Sequence, residues 1–294
     1  MRVTPRMYVY MMQQNISVAQ KQFYTASYQA STTKKLKYAA DDPTLASYQM
    51  NSNMALDDID HFLSTNAVQK ERLDNAESAL SGMTDIFQRL KEIFVSSASG
   101  QYNSQNRITF ADEVASLKAH FIQTANMQAD GSFVFAGFKT ESAPFDATGQ
   151  FVGDANEREA EVSKGLFLSV GTPGSRYLTE LDGGINLFKV FDTLESGLRS
   201  NDIAKIKSAS PLIDQGLSQL TSARIDVSGK IGRLDLAAQT LEENKNLIND
   251  SRSQFISVDP IEAIATLKQV SDNYKASVQI AAKTLNISIL EYMK

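Results

Sequence analysis

The chain has no cysteine and no tryptophan, and only two histidines and six prolines in 294 residues. Without cysteine there can be no disulfide, thiolate nucleophile or zinc–thiolate site. The histidines, His61 and His120, have no Cys, His or clustered carboxylate at metal-ligand spacing, and both read as surface or interface residues. Basic excess is missing too. Lys plus Arg number 29 against 34 Asp plus Glu, for a net charge of −5, which provides no electrostatic reason to bind nucleic acid. The short run Lys34-Lys35-Leu36-Lys37 reads as a solvated helix end. No apolar run approaches a membrane span. The opening residues Met1 to Tyr8 lack the apolar core and cleavage site of a secretory signal, so export, if it occurs, is expected without a cleaved signal peptide.

Catalytic motifs are equally scarce. No Gly-x-Ser-x-Gly elbow occurs. Gly137-Phe138-Lys139-Thr140 superficially matches the end of a phosphate-binding loop, but Ser132 stands where that loop needs its first glycine. Asp57, Asp58 and Asp60 lack the glycine and further oxygen ligands of a calcium loop. The expectation is a protein that is not an enzyme, with no catalytic, cofactor-binding or metal site.

What the chain has is helical periodicity. Val9, Met12, Ile16, Ala19, Phe23, Ala26 and Ala30 alternate in steps of three and four, the spacing of a coiled-coil seam. A longer seam runs through Ile59, Phe62, Asn66, Gln69, Leu73, Ala76, Leu80, Met83, Phe87, Leu90 and Phe94. Its two polar members could fix register. A further helix is expected from about Ser104 to Ala129, with Ile108, Ala111, Ala115, Leu117, Phe121, Ile122 and Ala125 inward. After Gly184, helix resumes over Ile185 to Leu198, Asn201-Asp202 can cap the next helix, and the stretch from about Pro211 to Phe255 is long. The seam there is Val227, Ile231, Leu234, Ala238, Leu241, Ile248 and Phe255. The last segment carries Ile264, Leu267, Val270, Tyr274, Val278, Ala281, Leu285, Ile289 and Tyr292.

Between the helical halves the composition changes. Nine of the 15 glycines fall between Gly131 and Gly184, along with Pro144 and Pro173. Ser132 to Phe138, Phe151 to Asp154 and Gly165 to Gly171 have the composition of short strands bounded by turns. Asp41-Asp42-Pro43 and Asp259-Pro260 break the helices. The expected fold is mainly α, a long antiparallel helical bundle or coiled coil carrying a compact β domain. Its expected parts are an N-terminal coiled-coil assembly segment (1–42), the N-terminal half of a helical rod (43–130), a β-rich outer domain (131–184), the C-terminal half of the rod (185–258) and a C-terminal coiled-coil assembly segment (259–294). A terminal segment with one narrow apolar stripe buries little alone, so the ends should pair with each other or with neighbouring subunits. The expected interface is Val9, Met12, Ile16, Phe23, Ile264, Leu267, Val270, Tyr274, Val278, Leu285, Ile289 and Tyr292.

Several motifs in order carry a family resemblance. They are Ser31-Thr32-Thr33-Lys34-Lys35-Leu36 with Asp41-Asp42-Pro43, Gly131 to Thr140 followed by Pro144-Phe145, Phe151 to Asp154 with Arg158, and the ending Ile289-Leu290-Glu291-Tyr292-Met293. Together they resemble the flagellar hook–filament junction proteins (hook-associated protein 3), a flagellin-related family, with flagellin itself as the alternative. Thr33 stands where that family has a glycine, which argues against a tight left-handed turn. The resemblance implies a flagellin-like fold and a structural role in the bacterial flagellum, outside the cell after type III export. The implied partners are further copies of the chain, the first hook-associated protein, flagellin and an export chaperone.

Overall fold

The computed structural model describes residues 5–98, 103–180 and 183–292. Seven helices and two short hairpins follow in the order α1 (Pro5–Thr32), α2 (Pro43–Ala98), α3 (Ser104–Ala125), β1 (Gln128–Ala129), β2 (Ser132–Phe133), β3 (Glu159–Ser163), β4 (Leu166–Ser169), α4 (Gly174–Leu178), α5 (Leu187–Arg199), α6 (Ile203–Ile256) and α7 (Pro260–Tyr292). The mainly helical class with a small β-containing insert is what the structure has. By compactness the chain divides into two units, Met1–Asp58 with Glu243–Lys294, and Ile59–Glu242.

Both Asp-Pro steps start a helix by the same device. Asp42 Oδ1 accepts hydrogen bonds from the backbone N–H of Thr44 and Leu45, each at 3.0 Å, and Asp259 Oδ1 accepts from Ile261 N–H at 2.7 Å. In each case the following proline occupies the first helical position, where an N–H would have no partner anyway.

In the first unit the turn after α1 meets the turn before α7. Lys35 N–H donates to Ile256 O and Val258 N–H donates to Thr33 O, both at 2.9 Å. Thr33 has φ of 55°, so the left-handed turn that its side chain argued against is present. The two cross-turn bonds hold a β-branched residue in a conformation that costs about 1–2 kcal/mol. Thr33→Gly is therefore expected to stabilise this unit by roughly 0.5–1 kcal/mol after the extra freedom of glycine in the unfolded chain is counted. Slower hydrogen exchange at the Lys35 and Val258 amides would register the gain. Unchanged or faster exchange there would show that Thr33 carries no strain.

The second unit holds the main core. On α2, Leu73, Ala76, Leu80, Met83, Phe87 and Leu90 are buried as the seam requires, and Ala79, Ile86 and Ile93 are buried beside them. That widens the stripe into the face of a helix with several partners rather than one. Salt bridges Lys70–Asp235 (2.6 Å), Arg224–Glu77 (2.6 Å) and Lys91–Asp214 (2.8 Å) tie α2 to α6 in antiparallel register. Lys70–Asp235 and Lys91–Asp214 are well exposed and contribute alignment more than stability, while Arg224–Glu77 is part-buried. Asn66 is not a register device within a coiled coil. It is 2% exposed, and its side-chain amide donates to Val162 O of β3 at 3.1 Å.

The cap expected at Asn201-Asp202 is in place, Asp202 Oδ1 accepting from Ala204 N–H at 2.9 Å, and the helix that starts at Ile203 runs on through Pro211. Two helical expectations are corrected. On α3, Ile108 is outward at 38% exposure while Arg107 is inward, its Nε donating to Ser97 O and a terminal amine to the Asn201 side chain. On α6 the buried line is Ile206, Ala209, Ile213, Gly216, Leu220, Ala223, Val227, Lys230, Leu234 and Leu241. Lys230 thus takes the seam position expected for Ile231, and Phe255 is 55% exposed.

The insert contains less strand than its composition suggests. Only Ser132–Phe133 of the first run is extended in a sheet, and Phe151 to Asp154 contributes a single bridge, Phe145 to Phe151. The β3–β4 hairpin supplies the longest pairing, and β3, Glu159–Ser163, has little strand composition of its own. The first run turns back at Gly137, φ 66°, where a Cβ would lie 2.0 Å from Asp154 O. This turn places Phe135 and Ala136 in the interior, both fully buried. Asn126, at the end of α3, anchors the loop by donating to Phe145 O (2.8 Å) and accepting from Phe145 N–H (3.0 Å).

Candidate functional site

The two terminal helices pair with each other within the chain. They run antiparallel, with Phe23 of α1 stacked on Tyr274 of α7 at 5.9 Å between ring centres and 17° between planes. On α1, Val9, Met12, Ile16 and Phe23 are half-buried and Ala26 is buried. On α7 the inward line is Ala263, Leu267, Val270, Tyr274, Ser277 and Ala281, a strict alternation of four and three.

Seven of the expected interface residues therefore share this seam: Val9, Met12, Ile16, Phe23, Leu267, Val270 and Tyr274. Ile264 and Val278 do not belong to it, being 61% and 40% exposed. Each sits one residue beyond a small seam residue, Ala263 or Ser277, and so about 100° around the helix. A reading that weighs hydrophobicity chooses the larger neighbour, whereas close approach of two helices favours the smaller one. The side chains of Leu285, Ile289 and Tyr292 lie outside the described residues.

The pairing leaves a second set of apolar side chains facing outward. On α7 these are Ile261 (81% exposed), Ile264, Val278 and Ile280. On α1 they are Met7, Tyr10, Met11, Val18 and Tyr24. Nine large apolar side chains on these two helices are thus left exposed by the pairing.

The second unit contains a charged centre that hydrophobic periodicity could not reveal. Lys230 is 3% exposed, and its Nζ donates to Gly171 O at 2.6 Å and to the Tyr177 hydroxyl at 3.2 Å. Asp226 Oδ2 lies 3.3 Å from the ammonium and Glu157 Oε2 lies 3.7 Å away. Tyr177 donates to Asp226 at 2.6 Å, while Ser169 and Arg176 both donate to Glu157. Burial by itself would raise Glu157 and Asp226. Hydrogen bonds from Ser169 and Arg176 in one case and Tyr177 in the other, with the nearby Lys230 charge, hold both below ordinary carboxylate values. Burial and then Asp226 push the Tyr177 hydroxyl up. The polar groups of the cluster are directed at one another and at Gly171, so it acts as a bolt between the insert and α6. The signal that could have exposed it is Asp226 and Lys230 at i, i+4 with the lysine on a seam position.

Both histidines are exposed, and among the described residues no group of three or more His, Cys, Asp or Glu side chains is placed to hold a metal ion. No described helix is long and apolar enough to cross a membrane.

Comparison with known proteins follows the same lines. Residues 5–140 match the family model of the bacterial flagellin N-terminal helical region. Flagellar hook-associated protein 3 of Salmonella typhimurium is 24% identical over 251 residues, covering 79% of each chain. Its namesake in Escherichia coli is 26% identical over 233 residues, covering 76% of this chain and 71% of that one. A solved Vibrio parahaemolyticus structure, described as a flagellar hook-associated protein, superposes with a TM-score of 0.69 at 22% identity, over 74% of this chain and all of that one.

Proposed function

We propose that this flagellin-related chain is a structural protein of the bacterial flagellum, forming the junction layer between the hook and the filament. It would meet the first hook-associated protein on one side and flagellin on the other. Its location is extracellular, reached through type III export, with a chaperone on the C-terminal segment until assembly. The structural observation that supports this reading is the paired α1 and α7 with apolar side chains left outward. Residues 1–42 and 259–294 are the assembly segments, and the pairing converts two weak stripes into one surface that neighbouring subunits can cover.

A filament subunit is the second reading, favoured by the match of residues 5–140 to the flagellin model. Deleting the gene separates the two. A junction layer predicts intact hooks with flagellin shed unpolymerised into the medium, whereas loss of a filament subunit leaves nothing to shed. Normal filaments on the deletion strain would rule out both roles.

The two faces of α7 should separate by mutation. Leu267→Glu places a charge in the seam and is expected to unzip α1 from α7, with fast hydrogen exchange along α1 and no filaments. Ile264→Glu is expected to leave the pairing and its exchange protection intact and still block filament growth. Ordinary motility of the Ile264→Glu strain would show that the outward face has no part in assembly.

A further inference from the structure

A cavity of about 30 Å³ in the second unit is lined by two arginines, Arg72 of α2 and Arg158 at the start of β3, together with Gln69, Thr140 and Thr172. Both guanidiniums are half-buried, and among the described residues no carboxylate lies within ion-pair distance of either. Burial first, and then the Arg158 charge, pull Arg72 below the usual arginine value, with the Asp130 charge opposing more weakly. Two like charges around a shared cavity, each without a counter-ion, are unfavourable as they stand.

The walls hold the arginines there. Leu73, next to Arg72, is 1% exposed and locked in the core. Arg158 O accepts from Val170 N–H at 2.8 Å and from Gly171 N–H at 3.0 Å. A Cβ at Gly171 would lie 2.4 Å from Arg158 N, so only glycine lets the two segments approach this closely. Thr172 Oγ1 donates to Val134 O at 3.0 Å, which closes another side. These contacts fix the backbone at both arginines and so the walls of the cavity.

We propose that this cavity is an anion site whose ligand is a carboxylate group, held between the guanidiniums of Arg72 and Arg158. A guanidinium presents parallel N–H donors that match the two oxygens of a carboxylate. The cavity is partly open, so a carboxylate head can enter between the guanidiniums while its carrier stays outside. The carboxylate is either that of a free small acid or that of a side chain on a second copy of the chain.

The test uses the full-length protein with its arginine Nε–Hε resonances assigned through Arg72→Gln and Arg158→Gln. Sodium formate is titrated at constant ionic strength, with sodium chloride making up the balance. A saturable shift of both resonances, lost for the remaining arginine in either variant, is the expected result for a free acid. If the carboxylate comes from a second copy, the same resonances shift with protein concentration instead, alongside an increase in sedimentation coefficient. Melting provides a second readout. Saturating formate should raise the midpoint of the parent chain by roughly 2–4 degrees and that of neither variant. Resonances that follow neither formate nor protein concentration, or that respond to chloride as fully as to formate, would overturn the proposal. The titration of the parent chain decides the matter even where a variant folds poorly.

Discussion

Replacing Phe121 with alanine is expected to destabilise the second unit by about 4 kcal/mol, the middle of the range for deleting a buried aromatic ring. Phe121 is fully buried on α3, at the centre of a ring cluster contributed by three helices. Its centroid lies 5.4 Å from that of Phe87 on α2, and 5.2 Å and 5.3 Å from those of Phe188 and Phe191 on α5. The angles between these ring planes, 56°, 77° and 47°, suit edge-to-face and tilted contacts, which add to area burial. Removing the ring leaves a hole bordered by three aromatic neighbours on two other helices, so collapse is only partial. Urea unfolding followed by circular dichroism measures the loss as a lower midpoint with an unchanged slope. Phe121→Leu, which keeps much of the volume, should cost about a third as much. A loss under about 2 kcal/mol for alanine would mean that the cluster repacks.

Lys230→Met should cost about 3 kcal/mol, for a different reason. Methionine keeps the length of the stem, so what disappears is the charge and its bond to Gly171 O. Breaking a buried ion pair by removing one member costs about 3–5 kcal/mol, and the low end applies because Asp226 keeps 37% of its side chain exposed. The loss should carry a signature in acid. Glu157 and Asp226 are held below their ordinary values of 4.5 and 3.8 in the folded chain. A carboxylate depressed in this way stabilises the fold at pH above its unfolded value. That contribution fades as pH falls from those values through the lower folded ones. Without the Lys230 charge the depression shrinks, so the variant should begin to unfold at a higher pH than the parent during acidification. Parallel acid-unfolding curves, merely offset in stability, would show that Lys230 contributes packing rather than charge.

These two residues mark the boundary between what composition and spacing can decide and what they cannot. The three–four steps from Ile59 to Leu90 placed Phe87 inside, and the same rule placed Phe121 inside, because a buried aromatic is apolar in any context. The Asp-Pro steps identified the starts of α2 and α7, because a capping carboxylate and a proline act within one turn of chain. The glycine-rich centre from Gly131 to Gly184 identified an insert for the same local reason. The mainly helical class with a central insert follows from these features taken in order along the chain.

Tertiary structure decided the rest. Lys230 and Arg107 are inside because segments distant in sequence bring Gly171 O, Asp226, Ser97 O and Asn201 to meet them. Ile264 and Val278 are outside because Ala263 and Ser277 let α7 approach α1 more closely, a preference that hydrophobicity alone inverts. Thr33 keeps a glycine's turn because Ile256 and Val258, more than two hundred residues away, hold its flanks. Local sequence determined where helices begin and which side of each is greasy. Which members of that side face a partner, and which charges can be buried, depended on groups that only the folded chain brings within a few ångströms.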